Sequence, residues 1–292
     1  MGKETVNRIC IYHSRDLDGW MSAAIVKLKF PDIKLMGWDY GDEFLNIPEG
    51  VCIIMVDVSF PMEIMLEVVK KAKWDLLWID HHISAINEFE KFINGGETFC
   101  RSILDTNFAA CELTWQFFFP DTEMPEIIRL LGRYDCFGHK GTNEEQKVLE
   151  FQYGARQAIS NADEAYQTLI IARGRGDWSF DKDLCDDILL QGRAIYKYLC
   201  NEAQHSYKKI FSIELDGYKF ACVNQERFNP INFGIDYHKD GYDGFACFWY
   251  QNGGWTYSLY NDNGNVDCSV IAKNRGGGGH KGASGFRSKD II

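Results

Sequence analysis

Four short apolar runs near the start of the chain most strongly limit the folds open to it. Each is rich in Ile, Val, Leu or Trp, and a polar loop or a helical pattern separates it from the next. Strands that are apolar on both faces are typical of parallel sheets covered by helices. The runs are residues 8–13 (RICIYH), 33–38 (IKLMGW), 51–58 (VCIIMVDV) and 75–80 (DLLWID). The sequence therefore predicts an α/β fold whose N-terminal domain is built on a parallel sheet.

Helical patterns fill the chain between and after these runs. Asp18 is the predicted N-cap of the helix that follows the first strand, and Pro61 is placed in the first turn of a later one. Four further helical stretches, separated by Pro, Gly and Asn, make up the middle of the chain. A long periodic stretch at residues 181–210 follows them.

The composition changes after residue 210. Two hairpins are predicted there, one turning near Asp216-Gly217 and one at Asn252-Gly253-Gly254. We therefore predict a catalytic α/β domain with a helical middle over 1–180, a linker helix over 181–210 and a smaller α+β domain over 211–292.

Three of the four predicted strands end in side chains that commonly bind metal ions. Because the carboxyl ends of parallel strands line one crevice, these side chains should converge although they are far apart in sequence. One further acid, in GRYDCF, follows a helix and could close the ring. The set is His13, Asp16, Asp18, Asp57, Asp80, His81, His82 and Asp135.

Several carboxylates with a few imidazoles and no thiolates suit manganese or magnesium. A carboxylate that bridges two ions would give a hydrolytic site that activates water and neutralises a phosphoryl group. Taken singly, an Asp after a strand is most often a helix cap or turn residue. Taken together, the residues favour a centre of two divalent ions, for which manganese, magnesium and cobalt are candidates.

A glycine run near the C-terminus is the second signal. Its backbone N–H groups could approach a phosphate closely, and a helix starting after it would favour an anion. The alternative is a flexible turn, and the spacing matches neither a Walker loop nor a dinucleotide fingerprint. The candidate substrate-binding residues are Arg275, Gly276, Gly277, Gly278, Gly279, His280 and Ser284.

Charge and composition exclude some functions. The chain has 31 Lys and Arg against 42 Asp and Glu, a net charge of −11, so it is a poor candidate for long duplex DNA. Its ten cysteines form no CxxC pair, which favours buried thiols in a reducing compartment. We find no signal-peptide pattern and no apolar run near the roughly 20 residues that span a bilayer. A cytoplasmic protein without a membrane segment is expected.

With these motifs in view, the chain resembles the DHH phosphoesterase superfamily. Asp80-His81-His82 matches the Asp-His-His motif, while HSRDLDG, VDVSF and RYDCF are similar to the first, second and fourth motifs. GGGGHKGASG resembles the signature of the DHH-associated C-terminal domain of RecJ-type exonucleases, oligoribonucleases (nanoRNases) and cyclic-dinucleotide phosphodiesterases. The resemblance covers residues 8 to 286.

This resemblance implies a role for each site residue. His82 would face the substrate phosphate, Asp80 would orient its neighbours, and the GGGGH loop with His280 would bind substrate across a cleft between the domains. Two positions depart from the pattern, since His13 stands closer to the first Asp than is common and Arg275 replaces an aromatic or small residue. The implied metal ligands are His13 and Asp16 at one ion and Asp18, His81 and Asp135 at the other, with Asp57 bridging.

The resemblance also implies an activity. We expect a manganese-dependent phosphodiesterase that hydrolyses short single-stranded RNA to mononucleotides, with adenosine 3′,5′-bisphosphate as a further small substrate. The alternatives are a cyclic-dinucleotide phosphodiesterase, an exopolyphosphatase-like enzyme and a catalytically dead nucleotide-binding module. The sequence leaves the oligomeric state open, with a homodimer as one option. Four aromatic residues of the C-terminal half could stack bases or form a hairpin core: Phe228, Phe248, Trp249 and Trp255.

Overall fold

The computed structural model describes residues 8–96, 98–226 and 228–292. The chain divides into two compact units, the first ending at Ile195 and the second beginning at Tyr196. The boundary lies within the longest helix, which occupies the stretch predicted to be the connector.

The first unit is built on a five-stranded parallel sheet, which confirms the predicted fold class. Its strands run in the order β2-β1-β3-β4-β5. The fifth strand was not predicted because its sequence, RSIL, is short and begins with an exposed arginine. The strands are β1 (Arg8–His13), β2 (Lys34–Trp38), β3 (Cys52–Val56), β4 (Leu76–Asp80) and β5 (Arg101–Leu104).

Both faces of this sheet are buried, which explains why its inner strands are apolar throughout. Alternate residues of a strand point to opposite faces. In β3, Ile53 and Met55 pack into one hydrophobic cluster, and Ile54 and Val56 pack into another. Burial on both faces is what removes the polar alternation seen in half-exposed strands.

Eight helices belong to the described part of the first unit or extend from it. The four helical stretches predicted in the middle of the chain correspond to α4–α7. The helices are α1 (Leu17–Lys29), α2 (Met62–Lys71), α3 (Ile83–Ile93), α4 (Ala110–Phe118), α5 (Glu126–Asp135), α6 (Glu145–Ala158), α7 (Ala162–Arg173) and α8 (Asp181–Tyr207).

The start of α1 differs from the prediction. Asp16, not Asp18, is the N-cap, and its Oδ1 accepts a hydrogen bond from the Gly19 N–H at 2.9 Å. Because the helix begins at Leu17, Asp18 falls inside its first turn, where it is 3% exposed. The prediction of Asp18 as the cap is therefore wrong.

The second unit contains a six-stranded sheet of order β10-β11-β9-β8-β7-β6, parallel only between β7 and β8. The predicted hairpins turn at Asp216-Gly217 and Asn252-Gly253, where all four residues have positive φ as a tight turn requires. Two short 3₁₀ helices lie at Pro230–Phe233 and Tyr237–Asp240. The other elements are β6 (Phe211–Leu215), β7 (Tyr218–Asn224), β8 (Gly244–Gln251), β9 (Gly254–Tyr260), α9 (Cys268–Lys273), β10 (Gly278–His280) and β11 (Ala283–Ser288).

The glycine run is followed by a strand and not by a helix. Its last two glycines open β10, which pairs antiparallel with β11. The added attraction for an anion that a helix start after the run would give is therefore missing in the described residues, and α9 instead precedes the run. Among the described residues, no helix combines the length and apolar character that a membrane crossing requires.

Candidate metal centre

The carboxyl edge of the parallel sheet gathers the eight residues predicted from the first domain. Strands β1 and β4 end in predicted site residues, another follows β3 directly, and Asp135 is the last residue of α5. Three groups each offer ligand atoms within 4.8 Å of one another. They are His13–Asp16–Asp57, Asp18–His81–Asp135 and Asp57–His81–His82.

Asp57 belongs to two of these groups and lies between two imidazoles. Its Oδ2 is 3.5 Å from Nδ1 of His13, and its Oδ1 is 3.5 Å from Nε2 of His81. The residue is 1% exposed and has φ 59°, a left-handed conformation that an L-residue adopts at some cost. The backbone N–H still donates to the carbonyl of Ile79 at 3.0 Å, so the strained residue stays tied to the neighbouring strand.

The first motif reaches the site through a close contact between α1 and β1. A Cβ atom on Gly19 would stand 2.1 Å from the His13 carbonyl oxygen, so only glycine fits there. Asp18 accepts hydrogen bonds from the N–H groups of Ala110 (2.9 Å) and Cys111 (2.7 Å) at the start of α4. These bonds hold the Asp18 carboxylate with its Oδ2 3.6 Å from Nε2 of His81.

Several polar atoms of this cluster are buried without a hydrogen bond of normal geometry within the described part of the chain. They include both carboxylate oxygens of Asp57, Nδ1 of His13 and Nε2 of His81. Buried polar atoms without a well-aligned hydrogen bond are costly, and carboxylate oxygens and imidazole nitrogens that face one another can be ligands of a divalent cation. The residues present therefore fit one or two divalent ions.

The pKa values of the cluster agree with that fit. Burial, and then the neighbouring Asp57 and Asp135 carboxylates, raise the pKa of Asp18. Burial alone would lower the pKa of His13, but the carboxylates of Asp16 and Asp57 outweigh it and raise the pKa to about 11. Without a metal, protons on the imidazoles offset the carboxylate charge, and metal binding would release them.

Asp80 orients the two histidines that follow it. It is fully buried, and its Oδ1 accepts hydrogen bonds from the backbone N–H groups of His81 (2.7 Å) and His82 (3.1 Å). The same oxygen lies 2.7 Å from Nδ1 of His82. Burial opposes protonation of His82, but Asp80 outweighs it and raises the pKa of the imidazole.

Asp39 is a site residue that the sequence analysis missed. Its Oδ1 lies 3.2 Å from Nε2 of His13, and its Oδ2 accepts a hydrogen bond from Nε of Arg15 at 3.0 Å. A carboxylate on the second nitrogen of a candidate ligand histidine fixes the ring and its tautomer. The available signal was its place directly after β2, matching that of Asp57 directly after β3.

The residues predicted from the glycine run lie in the second unit, where several make internal contacts. Arg275 forms an ion pair with Asp216 at 2.7 Å. The hydroxyl of Ser284 is buried and donates to the carbonyl of Cys268 at 2.6 Å. His280 is exposed on β10. The roles of this set in substrate binding stay a prediction.

The aromatic residues considered for base stacking divide into two pairs. Phe228 and Phe248 are 2% and 4% exposed, so their rings form the cores of the second unit and have no face open to a base. Trp249 and Trp255 are partly buried and pack against the same cores.

Comparison with known proteins defines the class to which this fold and site belong. Residues 8–131 match the model of the DHH family, N-terminal domain. These residues therefore form a DHH family N-terminal domain.

Individual relatives are distant. The uncharacterized protein R106 of Acanthamoeba polyphaga mimivirus is 24% identical over 310 residues, covering 97% of this chain and 68% of the relative. The pGpG-specific phosphodiesterase PggH of Vibrio cholerae shares the fold at 12% identity and a TM-score of 0.51, with 96% and 92% of the two chains covered. A DHH domain from a protein described as belonging to a family of ribosomal proteins shares the fold at 14% identity and a TM-score of 0.53. The match covers 96% of this chain and 82% of that domain.

Proposed function

We propose that this chain is a manganese-dependent phosphodiesterase that hydrolyses short oligoribonucleotides to mononucleotides. The observation that carries the proposal is the position of Asp57, which places one buried carboxylate oxygen beside His13 and the other beside His81. A carboxylate that serves two ligand groups is the arrangement a two-ion hydrolytic site needs.

Each of these residues has a task in the proposal. His13 and Asp16 would hold one ion, Asp18, His81 and Asp135 would hold the other, and Asp57 would contribute to both. Divalent ions bound there lower the pKa of water and neutralise negative charge on a phosphoryl group. Manganese is the ion of this proposal, and carboxylate ligands suit it.

His82 acts on the substrate in this proposal. Its Nδ1 is engaged by Asp80, and that carboxylate raises the pKa of the ring, so the imidazole carries a proton. A protonated imidazole beside the ions stabilises the negative charge that develops on the phosphoryl oxygens. Asp80 serves as the positioning residue that holds this ring in place.

The second unit supplies further substrate contacts in the proposal. His280 and the backbone N–H groups of the glycine run hold the part of the substrate beyond the scissile phosphate. Binding energy gained there orients the reacting group and so raises turnover of nucleotide substrates.

The test is a panel of substrates assayed with and without manganese. It contains 5′-labelled linear dinucleotides including pGpG, adenosine 3′,5′-bisphosphate, cyclic dinucleotides and inorganic polyphosphate. We expect the highest kcat/KM on linear dinucleotides, no turnover after chelation, and a loss of several orders of magnitude in Asp57→Asn. The matched control is Asp75→Asn, an exposed Asp immediately before β4.

Other outcomes would replace the proposal. Preference for polyphosphate would identify an exopolyphosphatase-like enzyme, and preference for cyclic dinucleotides would identify the other enzymatic alternative. Nucleotide binding without turnover on any member of the panel would indicate a binding module.

A further inference from the structure

We propose that Tyr40 is a stacking platform for the nucleobase next to the scissile phosphate. This inference rests on the proposed function and names the group that separates nucleotide substrates from inorganic phosphates at this site. Tyr40 lies two residues beyond the end of β2, directly after Asp39, on the edge of the sheet that carries the metal centre.

The first observation is the position of the ring. Its centroid lies 6.2 Å from that of His13, a member of one ligand group. The hydroxyl accepts a hydrogen bond from the N–H of Ser59 at 3.3 Å, and Ser59 is two residues beyond Asp57. Tyr40 is thus tied to both sequence segments that form the first ligand group.

The second observation is that the ring is held in place and yet accessible. Trp38 packs edge-on against it, with centroids 5.2 Å apart, and the Ser59 side chain lies 3.4 Å from the hydroxyl. Even so, 54% of the residue is exposed. An aromatic surface fixed before binding loses little entropy when a ligand stacks on it.

The third observation concerns charge. Acidic side chains, among them Asp16, Asp39 and Asp57, dominate this edge of the sheet, so it lacks the cationic groove that tracks a nucleic-acid backbone in other proteins. Stacking needs no charge and accepts any base, because every base has a π face. Ribose phosphates and inorganic phosphates lack that face and gain nothing from Tyr40.

The experiment measures binding to the full-length, manganese-loaded protein by calorimetry. The probes are adenosine 5′-monophosphate, ribose 5-phosphate and inorganic phosphate. For the unmodified protein we expect the nucleotide to bind at least about tenfold more tightly than ribose 5-phosphate. Tyr40→Leu should remove that margin and leave the affinities for ribose 5-phosphate and phosphate unchanged.

Two further variants keep the test independent of any folding defect in Tyr40→Leu. Tyr40→Phe retains the ring and should keep the margin within about threefold, and Tyr40→Trp enlarges the π face and should preserve or increase it. Tyr198→Leu is the matched control, because Tyr198 is 62% exposed on α8.

Two results would overturn the inference. The first is that the preference for adenosine 5′-monophosphate over ribose 5-phosphate does not increase from Tyr40→Leu to Tyr40→Phe to Tyr40→Trp, which would show that no stacking occurs. Equal weakening of all three probes in Tyr40→Leu would show that Tyr40 supports His13 and the ions instead.

Hydrolysis assays separate this inference from the proposed function. If Tyr40→Leu hydrolyses dinucleotides with an unchanged KM, the phosphodiesterase proposal is supported and the stacking role of Tyr40 is wrong. If the unmodified protein hydrolyses no substrate but Tyr40→Leu loses the preference for adenosine 5′-monophosphate over ribose 5-phosphate, the stacking role is supported and the phosphodiesterase proposal is wrong.

Discussion

Oδ1 of Asp57 and Nε2 of His81 lie 3.5 Å apart, although the two residues follow different strands of the sheet. The other oxygen of Asp57 faces His13 at the same distance. Neither oxygen accepts a hydrogen bond of normal geometry within the described residues. The Asp57 carboxylate therefore lowers the stability of the metal-free protein and is well suited to bind a cation.

Asp57→Asn should stabilise the metal-free protein. Burial, and then the carboxylate of Asp16, raise the pKa of Asp57, so the folded state holds this proton more tightly than the unfolded chain does. The residue therefore destabilises the fold increasingly as pH rises above the ordinary Asp pKa of about 3.9. At pH 7 in chelator, we expect the variant to melt a few degrees higher, with a difference that shrinks toward pH 4.

With manganese present, the unmodified protein should be more stable than Asp57→Asn. The ions stabilise the unmodified protein by mass action, and the variant should gain much less. Thermal unfolding across pH, with chelator and with manganese, checks both statements. A metal-free variant that is less stable at every pH would mean that the Asp57 carboxylate supports the fold itself. Asn also tolerates a positive φ, but that contribution does not vary with pH.

His82→Ala should lower turnover without removing a metal ion. The loss of one preorganised donor to a developing negative charge typically costs about 10²–10³ in kcat. Metal content of the purified variant, measured beside its activity, is the deciding observation. Ile83→Ala is the control, because Ile83 is the exposed next residue. Loss of one equivalent of metal would instead place His82 among the ligands, as the group Asp57–His81–His82 permits.

Asp39→Ala should weaken one ion selectively. Without the carboxylate 3.2 Å from its Nε2, the ring of His13 loses its fixed orientation. Removal of such a partner typically costs about 10- to 100-fold in metal affinity. Calorimetric titration with manganese should show one site weakened and one unchanged, whereas Asp163→Ala, which removes an exposed partner of Lys27, should change neither. Two unchanged sites would show that Asp39 serves only its ion pair with Arg15.

Two neighbouring glycines of the C-terminal run should respond differently to alanine. A Cβ on Gly277 would lie 2.1 Å from the carbonyl oxygen of Gly285, so Gly277→Ala must displace β11. A Cβ on Gly278 meets no atom of the described chain within 4 Å. We expect Gly277→Ala to lower the melting temperature of the second unit by several degrees and Gly278→Ala to leave it nearly unchanged. Equal effects would mean that the run is not closely packed.

His280→Ala separates substrate binding from metal binding. If this residue holds the part of the substrate beyond the scissile phosphate, its loss should lower kcat/KM strongly for dinucleotides and barely for bis-nitrophenyl phosphate. Lys289→Ala, at an exposed residue beyond β11, is the control. Equal losses on both substrates would assign His280 to the fold or the ions, and no loss on either would make the glycine run a structural turn.

The sequence by itself determined the elements whose signal is local. Continuous apolar runs predicted strands β1–β4. In the inner strands of this set, residues buried on both faces leave no polar alternation. Tight-turn residues located both hairpins of the second unit. Polar residues directly after the strands identified the candidate ligands, since parallel strands deliver their carboxyl ends to one edge.

Only the tertiary structure decided what depends on partners distant in the sequence. Asp18 looked like a cap for its own helix, yet its carboxylate is held by N–H groups of Ala110 and Cys111, more than 90 residues away. Asp39 acquires its place in the site from the pairing of β2 with β1, which brings it to His13. Residue types fix which groups can bind or cap, but packing of the folded chain decides which of them meet.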